Sequence, residues 1–243
     1  MEEIKKIINK KRLEIEERNS KEMIKQIKFY DQKIIGNNLL NFGKEIEKYQ
    51  AEILSIENKS IYWISWEYYK NLIFDPKNMK WRILPICACL PSNKIENMVW
   101  ITNSEKIIPQ IYKYVRSLKG VRSAVISRMG KNVKLHVHQG WECISNYILR
   151  CHLPIIVESN KSGLIVGDKL QYHDPKKYIL FDDSIEHTGF NNSEKDRYIL
   201  IIDFERPIKA NKGISRIQIS KGIYLNDITK KFELINKYYG NLK

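Results

Sequence analysis

Along residues 1–56 apolar positions recur three to four apart among charged ones: Ile4, Ile7, Ile8, Ile15, Met23, Ile27 and Tyr30. That spacing is an amphipathic helical stripe. Asn19-Ser20 with Glu22 just beyond marks a helix start, and Gly36-Asn37-Asn38 marks a stop. A second helix is predicted from Leu39 to Ile56. Residues 60–103 are rich in Trp and Tyr, with Pro76, Pro85 and Pro91 as breaks, and read as short strands and loops over a core. A short helix is predicted over Glu105–Leu118, ending at Gly120. From there the period shortens to two. Strands are predicted at Val121–Met129, Val133–His138, Tyr147–Val157, Gly163–Val166, Lys169–Tyr172, Lys177–Phe181 and Arg197–Phe204. Gly167-Asp168 suits a two-residue hairpin turn. The tail from Lys209 to Lys243 reads as a strand and then a helix. Short strands at regular spacing predict a mainly β sandwich or barrel. Residues 1–58 form a helical segment packed on or preceding it, and residues 59–243 form the β domain.

Composition narrows the class. An apolar content of 43% over 243 residues is ample for a core and excludes intrinsic disorder. The nearest approach to a membrane span, Ile61–Phe74, is interrupted by Glu67 and Lys70, so no span is expected. The start, MEEIKKIINKKRLEIEER, has no apolar h-region, and a cytoplasmic location is expected. Cys87, Cys89, Cys143 and Cys151 make no CxxC or zinc-ribbon spacing and are read as free buried thiols. The net charge of +14 suggests an acidic partner, whether nucleic acid, acidic protein or anionic lipid. A Lys-, Ile- and Asn-rich chain also follows from an AT-rich genome. No helix-turn-helix, zinc finger or RNA-binding aromatic motif points to nucleic acid.

The candidate chemistry lies on the strands. In VKLHVHQG, His136 and His138 share a face unless a bulge intervenes, and in ILRCHL so do Arg150 and His152. Arg197 shares a face with Ile199 and Ile201, and a guanidinium among apolar neighbours needs an anion. That strand offers none before Asp203, whereas a bound dicarboxylate would pair bidentately with it.

The segments SRMGKNVKLHVHQGWECISNYILRCHLP and FDDSIEHTGFNNSEKDRYILIIDFERP resemble the aspartyl/asparaginyl β-hydroxylase family. Its signature reads here as His138-Gln139-Gly140, then Arg150-Cys151-His152-Leu153. Phe181-Asp182-Asp183-Ser184-Ile185-Glu186-His187 follows, and then Arg197 with Asp203 and Pro207. The resemblance covers about Val121–Pro207. It implies a double-stranded β-helix (jelly-roll) core with flanking helices, and Fe(II) held by His138 and His187. It also implies 2-oxoglutarate held by Ser127, Arg150, His152 and Arg197, with O2 as co-reactant and succinate and CO2 as products. The expected substrate is an Asp/Asn-type side chain in a polypeptide, or a related small molecule. The usual triad carboxylate, two residues after the first histidine, is replaced by Gly140; in this family a water typically fills that place. The loop after His138 is longer than in the animal enzymes, which leaves Trp141 and Glu142 as candidates for substrate contact. A second reading stays open. His136, His138, Glu142 and His187, with Asn191, also fit the cupin spacing for a metal site without 2-oxoglutarate. A basic, non-catalytic binding module is the third.

Overall fold

The period-two stretches pair into two antiparallel sheets in the computed structural model, which describes residues 26–65, 81–219 and 224–242. In chain order the strands are β1 (Phe29–Tyr30), β2 (Ile64–Ser65), β3 (Trp81–Cys89), β4 (Met98–Trp100), β5 (Val121–Met129) and β6 (Val133–Lys134). Then come β7 (Ile148–Ile156), β8 (Ser162–Val166), β9 (Lys169–Tyr172), β10 (Ile179–Phe181), β11 (His187–Asn191) and β12 (Arg197–Glu205). The larger sheet runs β1-β10-β7-β12-β5-β3-β2, with β4 also on β3; the smaller runs β6-β11-β8-β9. Together they make the jelly-roll.

Alternation along the long strands decides what faces where. On one side Leu149, Cys151, Leu153 and Ile155 of β7 join Leu200, Ile202 and Phe204 of β12, and Ala124 and Ile126 of β5, in one apolar cluster. Two helices cover that cluster: α2 (Ile46–Ile56), through Tyr49, Ile53 and Ile56, and α4 (Pro109–Ser117), through Ile111, Tyr112 and Val115. The alternate positions, Ser127, Met129, Arg150, His152, Arg197 and Ile201, face a cavity that the smaller sheet closes with Leu135, Leu164, His187 and Gly189. The larger sheet is thus buried on both faces, apolar toward the helices and polar toward the cavity.

Most predicted strands lie within two residues of the observed ones. Gly167 has a φ of 56° in the β8–β9 turn, a conformation natural to glycine. The helix expected over Glu105–Leu118 is two pieces, α3 (Ser104–Ile107) and α4. Ile108, before Pro109, leaves the helical region at φ −137° and ψ 64°, as steric crowding by proline demands. The Leu39–Ile56 helix likewise divides at Glu45 into α1 (Leu40–Lys44) and α2. Phe29 and Tyr30, read as helical, form β1 and pair with Phe181 and Leu180; residues 1–25 lie outside the described chain. Gly36, at φ 65°, closes a 3-10 turn over Gln32–Ile35.

Besides β1, two strands escaped the pattern. β3 is nine residues long despite Pro85, which sits where its register against β5 shifts, the kind of place a missing N–H is tolerated. β11, HTGFN, has no apolar alternation. The strand expected after Lys209 is absent from residues 209–219. The helix beyond it is α6 (Leu225–Gly240), whose Ile228, Phe232, Ile235 and Tyr239 pack on Ala88 and Ile101. All four cysteines are free; Cys143 is only half-buried. Among the described residues no helix is long and apolar enough to cross a membrane.

Candidate active site

A single inserted residue aims the first histidine. Val133 and Lys134 pair with Asn191 and Phe190, and Leu135 N–H donates to Gly189 O at 3.0 Å. The next pairing is His138 with His187, where an unbroken ladder would set Val137 opposite His187. The extra residue is a β-bulge, a device that re-aims side chains. Leu135 and His138 both line the cavity, while Val137 is 64% exposed. The shared-face reading of His136 and His138 fails for this reason: His136 does not line the cavity. The rings of His138 and His187 lie 4.4 Å apart, although 49 residues separate them in the chain.

Both rings are oriented by backbone. His138 Nδ1 is 2.8 Å from His136 O, and His187 Nδ1 is 2.8 Å from Ile185 O. A carbonyl only accepts, so each Nδ1 carries the proton and each Nε2 offers a lone pair. His187 Nε2 faces Asp183 Oδ1 at 3.3 Å, a lone pair against a carboxylate. Asp183 Oδ2 is buried without a hydrogen-bond partner. Two imidazole lone pairs and an orphaned carboxylate oxygen fit a cation. Among the described residues no three His, Cys, Asp or Glu side chains form a complete ligand set, so the protein donors would be the two rings.

Gly140 explains how Asp183 comes so close. A Cβ at residue 140 would stand 2.1 Å from Asp183 Oδ2, so the carboxylate fills space that any side chain there would claim. Asp183 is held by Arg150, whose NH1 donates to its Oδ1 at 2.5 Å. The other edge of Arg150 grips Asp203, with Nε at 2.7 Å and NH2 at 2.9 Å. Neighbouring Asp182 is locked by Arg206 at 2.5 and 2.8 Å and by Ser184 Oγ at 2.6 Å, which anchors the loop before His187.

Arg197 is different. It is 3% exposed and lines the cavity. Its NH1 donates to Phe190 O at 3.2 Å, and its Nε has no partner among the described residues. No ion pair to it occurs among the described residues. Burial pulls its pKa down to about 9, which still leaves it charged at neutral pH. Ser127 also lines the cavity, its Oγ accepting from Trp81 Nε1 at 3.0 Å, and His152 contributes a ring beside Phe181.

Six residues singled out from sequence therefore meet at one cavity: Ser127, His138, Arg150, His152, His187 and Arg197. Trp141 and Glu142 do not. Trp141 packs against the α6 cluster, and the Glu142 carboxylate accepts from Gln218. The cupin set is likewise not assembled, since His136 and Glu142 are absent from the cavity lining and Asn191 donates to backbone carbonyls of Met129 and Gly130. Asp183, Trp81 and His173 were not assigned from sequence. FDDSIEH contains Asp183, but nothing local separates it from Asp182; the loop fold does.

Burial holds His138 and His187 down to about 4, and it keeps His152 and His173 well below the ordinary range. The unfolded chain, with imidazoles near 6.5, takes up more protons than the fold as pH drops below that value. Asp183, pushed up to about 6 by burial, and Glu52, also raised by burial, oppose the trend but are two groups against four. The metal-free protein is expected to lose stability as pH falls from 6.5 to 4, read as Tm across that range. A Tm rising on acidification would contradict the neutral rings.

The sequence model of the family described as Aspartyl/Asparaginyl beta-hydroxylase matches residues 36–207, beginning well upstream of Val121 and taking in α1 and α2. An ornithine lipid ester-linked acyl 2-hydroxylase from Rhizobium tropici is 30% identical over 107 residues, which are 43% of this chain and 37% of that protein. The match thus spans little more than a third of that relative's length. A prolyl hydroxylase from Trichoplax adhaerens, solved with a hypoxia inducible factor peptide, superposes at a TM-score of 0.45 with 10% identity, covering 67% of this chain and 79% of that one. A prolyl-4-hydroxylase from Pseudomonas putida gives 0.41 and 8%, covering 70% and 99%. Identities and scores this low bear on neither chemistry nor substrate. The family match contains every cavity-lining residue named above and spans most of the chain, and this protein belongs to the aspartyl/asparaginyl β-hydroxylase family.

Proposed function

We propose that this protein is an Fe(II)- and 2-oxoglutarate-dependent dioxygenase that hydroxylates a carbon beside a carbonyl. The observation that carries this is Arg197, a buried guanidinium without a carboxylate partner among the described residues, facing the cavity that holds two neutral imidazoles. His138 and His187 would hold the iron through Nε2. When bound, that iron supplies O2 activation coupled to conversion of 2-oxoglutarate to succinate and CO2. Arg197 pairs with the far carboxylate of the cosubstrate. Ser127 assists, because its Oγ already accepts from Trp81 and its own O–H is left to donate. His152 faces the 2-oxo acid end. Arg150, committed to Asp183 and Asp203, positions Asp183 rather than anchoring cosubstrate. Met129, Leu135, Leu164, Phe181 and Ile201 exclude water, which strengthens each of these charge contacts.

The substrate follows from shared chemistry. The β-carbon of Asp or Asn adjoins the side-chain carbonyl, and carbon 2 of an ester-linked acyl group adjoins the ester carbonyl. We place the substrate among acidic polypeptides with Asp/Asn side chains, whose carboxylates complement a chain of net charge +14. A second class, acyl lipids, is favoured by the Rhizobium relative's activity. Succinate release by the iron-loaded protein is to be measured with acidic peptides and with ester-linked acyl lipids, using isotopically labelled O2. Label in a product next to its carbonyl supports the assignment; no succinate with either class, nor uncoupled, ends it.

Gly140→Ala tests the crowded carboxylate. Its methyl would meet Asp183 Oδ2 at 2.1 Å and Ser145 Cβ at 2.8 Å, so Asp183 must swing away. Metal affinity is expected to fall about tenfold or more, the usual scale for a disturbed outer partner, with Tm in the metal-free state lowered less than metal binding. Unchanged affinity by metal titration would show that Asp183 plays no part.

A further inference from the structure

His173, just past β9, is 1% exposed yet lies off the cavity lining. Its backbone N–H donates to Ser162 O at 3.0 Å, which fixes it beside β8. Its Nε2 is 3.2 Å from Nδ1 of His152, and its own Nδ1 is buried with no hydrogen-bond partner among the described residues. His152 stands edge-on to Phe181 and lines the cavity. With Nδ1 turned to His173, Nε2 is the nitrogen left on the cavity side.

Burial foremost, and the Arg197 charge nearby, disfavour imidazolium on both rings, so the two facing nitrogens share one proton. Two arrangements exist. If His173 Nε2–H donates, His173 Nδ1 is a bare acceptor and His152 carries its proton on Nε2. If His152 Nδ1–H donates instead, His173 Nδ1–H becomes an orphaned buried donor, and His152 presents a lone pair to the cavity. Orphaned buried N–H groups are the rarer defect, under-satisfied acceptors the milder one. The first arrangement wins. It also turns a donor toward a site already equipped with Arg197 for an anion.

We propose that His173 is a positioning residue that holds His152 as an Nε2–H donor toward an anionic oxygen of the bound 2-oxo acid. The ligand half of this rests on the function proposed above; the tautomer half does not. The test is long-range proton–nitrogen NMR on 15N-histidine-labelled, metal-free protein, with His173→Gln and His173→Phe beside wild type. Wild type and H173Q, whose amide N–H can replace the donor, should show the His152 proton on Nε2; H173F should lose that preference. Affinity of the Mn(II)-loaded protein for 2-oxoglutarate, by calorimetry, should drop about tenfold in H173F, the scale of one hydrogen bond to a charged group, and stay near wild type in H173Q. A wild-type His152 protonated on Nδ1, or an H173F protein matching wild type in tautomer and affinity, overturns the proposal. The expected tautomers in a protein that binds no 2-oxoglutarate would instead remove the cosubstrate reading and leave the His173 assignment standing.

Discussion

Replacing Arg197 with methionine should raise the KM for 2-oxoglutarate by roughly a hundredfold or more, while the metal-free protein loses no stability. The two halves have one cause. In the free protein the guanidinium sits 3% exposed and donates to the backbone carbonyl of Phe190, with no ion pair to it among the described residues, an expensive state for a charge. A methionine of similar length fills the space without that penalty. In the proposed complex the same charge would meet a carboxylate in a dry site, and removing one partner of such a pair costs about 3–5 kcal/mol. A structural arginine would behave the other way round, with Tm falling and KM holding. Calorimetric melting with steady-state succinate kinetics separates the two.

His187→Ala should abolish the thermal stabilisation that metal confers. A ligand at a hundred times its Kd stabilises by about 2.7 kcal/mol. For a chain of this size that corresponds to a rise in Tm of roughly 5–10 °C. Wild type should show that rise with Fe(II) under anaerobic conditions or with Mn(II) in air, and the variant none. The reason is geometric. Two protein nitrogens converge, Asp183 is tied back by Arg150, and one remaining imidazole cannot hold the ion. The neutral state of both rings favours this binding at physiological pH, since no proton has to be displaced from Nε2. A variant stabilised as much as wild type would place the metal elsewhere.

The strands that carry the site were legible because the signal is physical alternation. Arg150 with His152, and Arg197 with Ile201, share the cavity face as strand parity demands. Parity failed at His136, where a bulge resets the phase, and a bulge leaves no mark in VKLHVHQ. It also could not say who pairs with whom. Asp203, the nearest acid along the face of Arg197, is opposite Arg150 in the β7–β12 register, and that pairing leaves Arg197 without an anion among the described residues. β11 was hidden because the face it turns to the cavity carries histidine, glycine and asparagine rather than apolar residues, and the other face offers one apolar residue, Phe190. Trp141 and Glu142 follow His138 closely in sequence, but a turn into α5 (Glu142–Ser145) carries Trp141 onto the α6 cluster and Glu142 to Gln218.

Anaerobic titration of the Fe(II)-loaded protein with 2-oxoglutarate, followed by the weak visible band of the chelate, bears most directly on the claim that His138, His187 and Arg197 share one ligand set. Wild type should develop the band in one-to-one proportion, Arg197→Met should need far more cosubstrate to reach it, and His187→Ala should show none. A wild-type protein that binds iron yet never develops the band, or an Arg197→Met protein that saturates at the wild-type concentration, would contradict it.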